Sequence, residues 1–525
     1  MRMSAGYRPH SDRPEVESPL KSRLMVRLYR ELFSVIVVTS LVVACGGDKG
    51  TNPDTVAPDT TTADGGNRVD NVRAWTSDIA WTECGVGFEC GTFEVPYDYS
   101  DPDIGKFVLP VKRRLADDPE HRIGSLLINP GGPGGSALEW AEYADSVFSG
   151  SLLEVFDIVA WDPRGVGESQ PAVDCVDTFD DYFALDPSPD DSAETQALID
   201  GARAFAQGCE QRSGDILDHV ATVDAASDMD VLRRALGEDT ISYLGFSYGT
   251  QLGATWATLF PETVRAAVLD AAVDPTLGYV NGLVLQATGF EDSLNAFFDW
   301  CDVSCTWLPD GSDSRSMFAE LSANLDANPL DNPGRPPTNQ GVLGVGVSDA
   351  LYADYLWPDL SDALEAAVGG DGGGLLNLFD DYFGGWSNGH NDDLIDTYFA
   401  VTCADRDEAV TTDRILGLKS RLDDVAPTLG AGWIQEMMVC ASWDREPIGS
   451  IEIGADTDRI VVVGSTGDAA TPLSGTLNMV KQLGKARLIV SPLEQHTSYG
   501  SDACATQAID EFLIDLVDGP DRLDC

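Results

Sequence analysis

The run Ile241-Ser242-Tyr243-Leu244-Gly245-Phe246-Ser247-Tyr248-Gly249 constrains this chain more than any other stretch of it. A short β-forming segment feeds a Gly-x-Ser-x-Gly, and Thr250–Ala257 behind it has helical character. A strand that turns sharply into a helix leaves no room for a Cβ beside the turn, so Gly245 and Gly249 permit what other residues forbid. Ser247 at the apex is then held strained and exposed, the state in which a serine becomes a nucleophile. The five-residue pattern alone is weak, because 52 of the 525 residues are Gly. Its weight comes from what surrounds it.

Short apolar runs recur at βαβ spacing around the serine. Phe107–Arg114, Ser125–Asn129, Phe156–Trp161 and Arg265–Asp270 read as strands, and Val223–Leu236 as a helix leading to the strand before Ser247. This rhythm predicts a mostly parallel, doubly wound α/β sheet. It fails between about Asp274 and Gly454, where helical segments and the aromatics Trp300, Trp307, Trp357 and Trp386 dominate, and returns with Arg459–Gly464 and Arg487–Val490. The expected layout is therefore a core over residues 71–274 and 455–525, interrupted by a helical cap over 275–454.

The first residues read as an export signal. Arg23, Arg27 and Arg30 precede the apolar run Leu32–Val43, which is short for a membrane span. It closes on Val42-Val43-Ala44-Cys45, a sequence resembling a bacterial lipobox, in which cleavage after residue 44 exposes Cys45 for lipidation. Met25 offers an alternative start with a well-proportioned signal of its own. Residues 45–70, rich in Gly, Thr, Asp and Pro, read as a flexible tether. Ten cysteines remain after Cys45, an even number suited to an oxidising compartment. Proximity in sequence suggests Cys84–Cys90, Cys175–Cys209, Cys301–Cys305, Cys403–Cys440 and Cys504–Cys525. No Cys or His set has metal-ligand spacing. With 33 Lys+Arg against 87 Asp+Glu, the surface repels nucleic acid and anionic headgroups. Contact with a membrane is expected only through the lipid on Cys45; the oligomeric state is left open.

A serine hydroxyl needs a base to take its proton, and the base needs a third group to orient it. There are five histidines: His10, His121, His219, His390 and His496. Only His496 follows the last strand of the pattern. Asp468 lies in the loop directly after the preceding strand, which Thr471-Pro472 ends, and precedes His496 by 28 positions. The chain order Ser247, Asp468, His496 is that of α/β-hydrolases. The oxyanion of a tetrahedral intermediate needs backbone donors. The Tyr248 N–H is one; the other falls in Asn129-Pro130-Gly131-Gly132-Pro133-Gly134-Gly135, at Gly132 with Gly131 as competitor. No Lys-Ser/Thr follows these glycines, so they do not form a P-loop. Asp162-Pro163-Arg164-Gly165 reads as a structural turn.

Asn129–Ser136, Trp161–Ser169, Gly245–Gly249, Gly467-Asp468 and His496 together resemble the exported tripeptidyl aminopeptidases related to prolyl aminopeptidases, which are α/β-hydrolase serine peptidases with a TAP-like C-terminal segment. The resemblance runs from about Trp75 to Cys525. It implies Ser247 as nucleophile, His496 as general base and acid, Asp468 as its orienter, Gly132 and Tyr248 as oxyanion donors, peptides as substrates, and no cofactor. Prolyl aminopeptidases begin the glycine loop with His where this chain has Pro130, so their proline preference does not transfer. An aminopeptidase also needs a carboxylate for the substrate's α-amine, and Asp405 and Glu408 beside Cys403 are the candidates. Two other readings fit the same residues: a carboxylesterase, and a non-catalytic lipoprotein that binds peptides.

Overall fold

Ten strands form a single sheet, and the order in which the chain visits them fixes where a cleft can open. The computed structural model describes residues 61–385, 393–517 and 519–525, with side chains from residue 68 onward. The signal segment, Met25, Cys45, His10, Trp386 and His390 lie outside the described residues. The strands are β1 (Thr82–Gly85), β2 (Phe88–Pro96), β3 (Lys106–Arg114), β4 (Gly124–Asn129), β5 (Phe156–Trp161), β6 (Ile241–Phe246), β7 (Val264–Asp270), β8 (Ile460–Ser465), β9 (Arg487–Ser491) and β10 (Arg522–Asp524). Across the sheet they stand in the order β1-β2-β3-β5-β4-β6-β7-β8-β9-β10. The pairings β1–β2, β2–β3 and β3–β5 are antiparallel, and all those from β5 to β10 are parallel.

Strands β4, β5, β6 and β8 are buried at every position, which is why they read as continuous apolar runs and not as alternating ones. From β4 the chain steps to one side to form β5, then returns to the other side to form β6. Ligand clefts open at such a reversal, beyond the carboxyl ends of the strands. Asn129 at the end of β4 lies opposite Gly245 of β6, so the glycine loop and the serine elbow leave the sheet side by side.

The helices used below are α1 (Thr61–Ala74), α2 (Ser192–Ser213), α3 (Thr222–Ala235), α4 (Tyr248–Leu259), α5 (Tyr279–Ser304), α6 (Leu394–Asp405), α7 (Gly430–Ala441) and α8 (Ala503–Asp515). Among the described residues no strand lies between β7 and β8, and helices from α5 to α7 fill that interval. The cap has a second contributor that corrects the expected boundaries. Helix α2 and the turn before it, inside the segment 71–274 assigned to the core, pack onto cap helices. Phe183 stacks on Phe399, Phe205 meets the same ring edge-on, and Gln435 Nε2 donates to Tyr182 O. In sequence this stretch has the look of any sheet-covering helix, and only its partners reveal that it faces the cap.

The tether is also corrected. Its last residues enter α1, which docks on α3 through the Arg68–Asp224 ion pair, while Arg234 donates to Val72 O and Trp75 O. The structure contains the disulfides Cys84–Cys90, Cys175–Cys209, Cys301–Cys305, Cys403–Cys440 and Cys504–Cys525. Cys403–Cys440 joins α6 to α7, and Cys504–Cys525 ties α8 to the end of β10. No helix among the described residues is long and apolar enough to cross a membrane.

Candidate active site

Between β6 and α4, Ser247 adopts φ 53 and ψ −120, a backbone conformation costly for any residue with a side chain. The turn is held from several sides. The Ser247 N–H donates to Asp270 O at 2.9 Å, Thr250 N to Ser247 O at 2.7 Å, and Tyr243 Oη to Gly249 O at 2.7 Å. A Cβ on Gly245 would meet Gly249 O and Tyr243 Oη at 2.5 Å, and one on Gly249 would meet Asn129 O at 2.9 Å. The two glycines of the elbow are thus demanded by packing. Ser247 itself is fully buried. The exposure expected of an elbow serine is therefore corrected: the cap roofs the site.

Asp468 and His496 meet across the ends of β8 and β9. His496 Nδ1 lies 2.8 and 2.9 Å from the two Asp468 oxygens. The same carboxylate accepts from Ala470 N at 3.0 Å, Thr471 N at 2.8 Å and Thr471 Oγ1 at 2.8 Å. These donors hold the carboxylate in one orientation, and with the ring proton on Nδ1 the Nε2 lone pair is free to accept another. His496 Nε2 and Ser247 Oγ are both buried and make no hydrogen bond among the described residues. The serine–histidine bond is open in this state; such bonds commonly tighten only when substrate is bound. The cap grips the histidine loop directly: His496 N donates to Tyr352 O at 2.8 Å, Asp354 N donates to Glu494 O at 3.1 Å, and the Tyr352 ring meets the imidazole edge-on at 5.7 Å.

The glycine loop separates the two oxyanion candidates. The Gly131 N–H is taken by Asn129 Oδ1 at 3.0 Å, which leaves Gly132, at φ 110, as the available donor beside the Tyr248 N–H. Helix α6 sits on this loop so closely that a Cβ on Gly134 would fall 2.3 Å from Leu394 O. Asp162 shapes the far end of the loop by accepting from Ser136 Oγ, Ala137 N and Glu168 N. Arg164 is buried on Asp228 and backbone carbonyls. The Asp162–Gly165 turn is thus a support beside the site.

Neither carboxylate expected to receive an amine is presented to the cap cavity. Glu408 is paired with Arg414 at the surface, so it is set apart from the site. Asp405, at the end of α6, accepts from Thr222 N at 2.9 Å and from Thr222 Oγ1, whose oxygen also contacts Tyr248 Oη at 2.6 Å. Burial pushes its carboxyl up to about 7, but its oxygens are occupied within the chain. It lines a narrow crevice of about 50 Å³ with Pro133 and Tyr248.

Two carboxylates line the cap cavity: Asp423, which is paired with Lys419, and Glu436 on α7. A cavity of about 330 Å³ between cap and glycine loop is lined by Gly132, Pro133, Phe290, Tyr398, Trp433 and Glu436, among others. Tyr398 Oη donates to Glu436 Oε1 at 2.5 Å. Burial, opposed by that one hydrogen bond, pushes the Glu436 carboxyl up to about 7. Burial first, and the Glu436 charge after it, raise the Tyr182, Tyr382 and Tyr398 phenols. Among the described residues no Lys, Arg or His forms an ion pair with it. A buried anion without a counter-ion is costly, and a cationic ligand would offset that cost. One sequence signal could have singled it out: Glu436 is the only charged residue in Gly430–Ala441, where Gln435 is the one other strongly polar side chain.

Comparison with known proteins agrees with this geometry. Residues 124–502 match the alpha/beta hydrolase fold family. The chain is 32% identical to the serine protease Hip1 of Mycobacterium tuberculosis over 85% of this chain and 91% of that protein. It is 30% identical to a tripeptidyl aminopeptidase of Streptomyces coelicolor, covering 86% of each. It is 35% identical to carboxylesterase B of Mycobacterium tuberculosis, over 83% of this chain and 86% of that one.

Proposed function

The chain belongs to the α/β-hydrolase fold family and is a serine hydrolase, and from that premise we propose that it is an aminopeptidase which releases short peptides from free N-termini through an acyl-enzyme. Ser247 Oγ attacks the scissile carbonyl while His496 Nε2 takes its proton. The oxyanion is received by the N–H groups of Gly132 and Tyr248. His496 then gives the proton to the departing amine as the C–N bond breaks. Water, deprotonated by the same nitrogen, cleaves the Ser247 ester and frees the N-terminal peptide.

The observation that carries the aminopeptidase reading is Glu436, an unpaired carboxylate in the cavity that adjoins the glycine loop. It is placed to take the substrate's α-ammonium, so that the peptide chain runs from Glu436 toward Ser247. The deciding experiment compares peptide arylamides with free and acetylated N-termini in wild type and Glu436→Gln. The proposal expects wild type to prefer the free amine by about 10²-fold and the variant to lose that preference. Equal turnover of both substrates by wild type would refute it.

The carboxylesterase reading draws support from the similarity to carboxylesterase B and from the apolar lining of the cavity. Rapid ester cleavage without arylamide cleavage in the same assay would favour it. A peptide-binding protein without catalysis would fail to react with a fluorophosphonate at Ser247. We also propose display at the cell envelope by a lipid on Cys45, to be tested by incorporation of labelled fatty acid, which Cys45→Ala should abolish.

A further inference from the structure

Four non-glycine residues among those described have positive φ, and three of them meet at one aspartate. They are Ser247 (φ 53), Ala271 (φ 61) and Thr497 (φ 70); the fourth is Leu516. A β-branched residue such as Thr in this region is a clear outlier, held only where its surroundings over-determine it. Asp270, the last residue of β7, bonds to the first, precedes the second and bonds to the two residues that follow the third. Its carbonyl accepts from Ser247 N at 2.9 Å. Ala271 follows it directly, with its N–H on Val463 O at 3.0 Å. Its carboxylate accepts from Ser498 N at 3.0 Å and Tyr499 N at 2.8 Å, the two residues after Thr497 and therefore just past His496.

Asp270 is fully buried and makes no ion pair with a Lys or Arg among the described residues. Among the described residues His496 and Asp468 lie close enough to act on its charge. A carboxylate in that place is expensive unless the backbone donors it collects are themselves needed.

We propose that Asp270 is the positioning residue that sets the nucleophile and the base in register, its carbonyl holding the Ser247 elbow and its carboxylate holding the loop that carries His496. The proposal rests on the reading of Ser247 and His496 as the reacting pair. The elbow stands on β6 and the histidine loop follows β9, two strands separated in the sheet by β7 and β8. Asp270 spans that gap as one residue with two hydrogen-bonding ends.

The test uses the full chain and the variants Asp270→Ala and Asp270→Asn, with Ser247→Ala as control. An active Ser247→Ala would sink the nucleophile reading itself, separately from this proposal. With that control inactive, Asp270→Ala is expected to lower kcat by about 10²-fold, as for misplacement of reacting groups by about 1 Å, with KM changed by less than about threefold. Fluorophosphonate labelling of Ser247 should slow by the same factor. Asp270→Asn, which keeps one acceptor oxygen, should fall between the two. If the alanine variant does not fold, the near-isosteric asparagine decides on the same readouts. Wild-type kcat and labelling per folded molecule, or KM rising in step with the fall in kcat, would overturn the proposal.

Discussion

Two carboxylates, one beside the catalytic histidine and one lining the cap cavity, are provided for in opposite ways. Asp468, on the sheet side, is surrounded by donors from Ala470, Thr471 and His496. Glu436, on the cap side, has one phenol. The sheet keeps its charge for a partner within the chain, the imidazole. The cap holds a charge whose natural partner is a cation arriving with substrate. The acid–base pair of the sheet half is therefore already formed in the free protein, whereas the carboxylate of the cap half awaits a cationic partner.

The largest expected effect lies on the sheet side. Ser247→Ala should lower kcat by about 10⁶-fold, and Asp468→Asn by about 10⁴-fold, with substrate binding by equilibrium dialysis unchanged in both. A Glu436→Gln variant should do the reverse. Its kcat/KM on free-amine peptides should fall by about 10²-fold through KM, while N-acetylated substrates and fluorophosphonate labelling are unaffected. If Glu436→Gln lowers labelling of Ser247 as well, the two halves are not separable in this way.

The sheet half was legible in the sequence for reasons specific to its residues. Gly245 and Gly249 are forced by a turn without space for a Cβ, and His496 stands out because histidine is rare and only one follows the last strand of the pattern. Asp468 follows from strand order. Asp270 was visible only as the end of an apolar strand, since its role comes from a loop over 200 residues away. Glu436 was hidden because a helix that contributes one charge to a cavity looks like any core helix with one exception. Asp405 and Glu408 were preferred for lying next to Cys403, but that proximity says nothing of direction: one turns to Thr222 and the other to Arg414. The cap is assembled from segments on both sides of the elbow, and pairings of that kind leave no local pattern.

Smaller effects follow from pH. The Glu436 carboxyl, pushed up to about 7, is neutral below that pH, so its attraction for an ammonium group is lost on acidification. KM for free-amine peptides should rise roughly tenfold per unit below about pH 7, and rise again above about 8 as the α-amine deprotonates. Glu436→Gln should flatten the acidic side. The same raised pKa has a stability consequence of opposite sign to that of a salt-bridged carboxylate. The folded state prefers the protonated form, so stability declines as pH rises from the ordinary glutamate value toward 7 and is constant above it. Glu436→Gln should thus be more stable than wild type at pH 8, by on the order of 1–3 kcal/mol, and equal to it near pH 4, as read from denaturant unfolding. A gain in stability coupled to a loss of substrate affinity is the pattern of a residue kept for function.

The smallest effect concerns the link between the two helices of the cavity. Cys403–Cys440 ties α6, which carries Tyr398, to α7, which carries Glu436. Replacing both cysteines by serine should raise KM for free-amine peptides by about threefold to tenfold and leave the rate on N-blocked esters unchanged.

The hydrogen bonds from His496 N to Tyr352 O and from Asp354 N to Glu494 O have a consequence for anyone who would re-engineer this enzyme. A roof that is joined to the histidine loop cannot be treated as an interchangeable cassette. Grafting a cap from a relative would import new backbone against that loop and detune the base along with the pocket. Altered selectivity is better sought by point changes on the cavity wall, at positions such as Phe290 or Trp433, where the graft line never crosses the reacting groups.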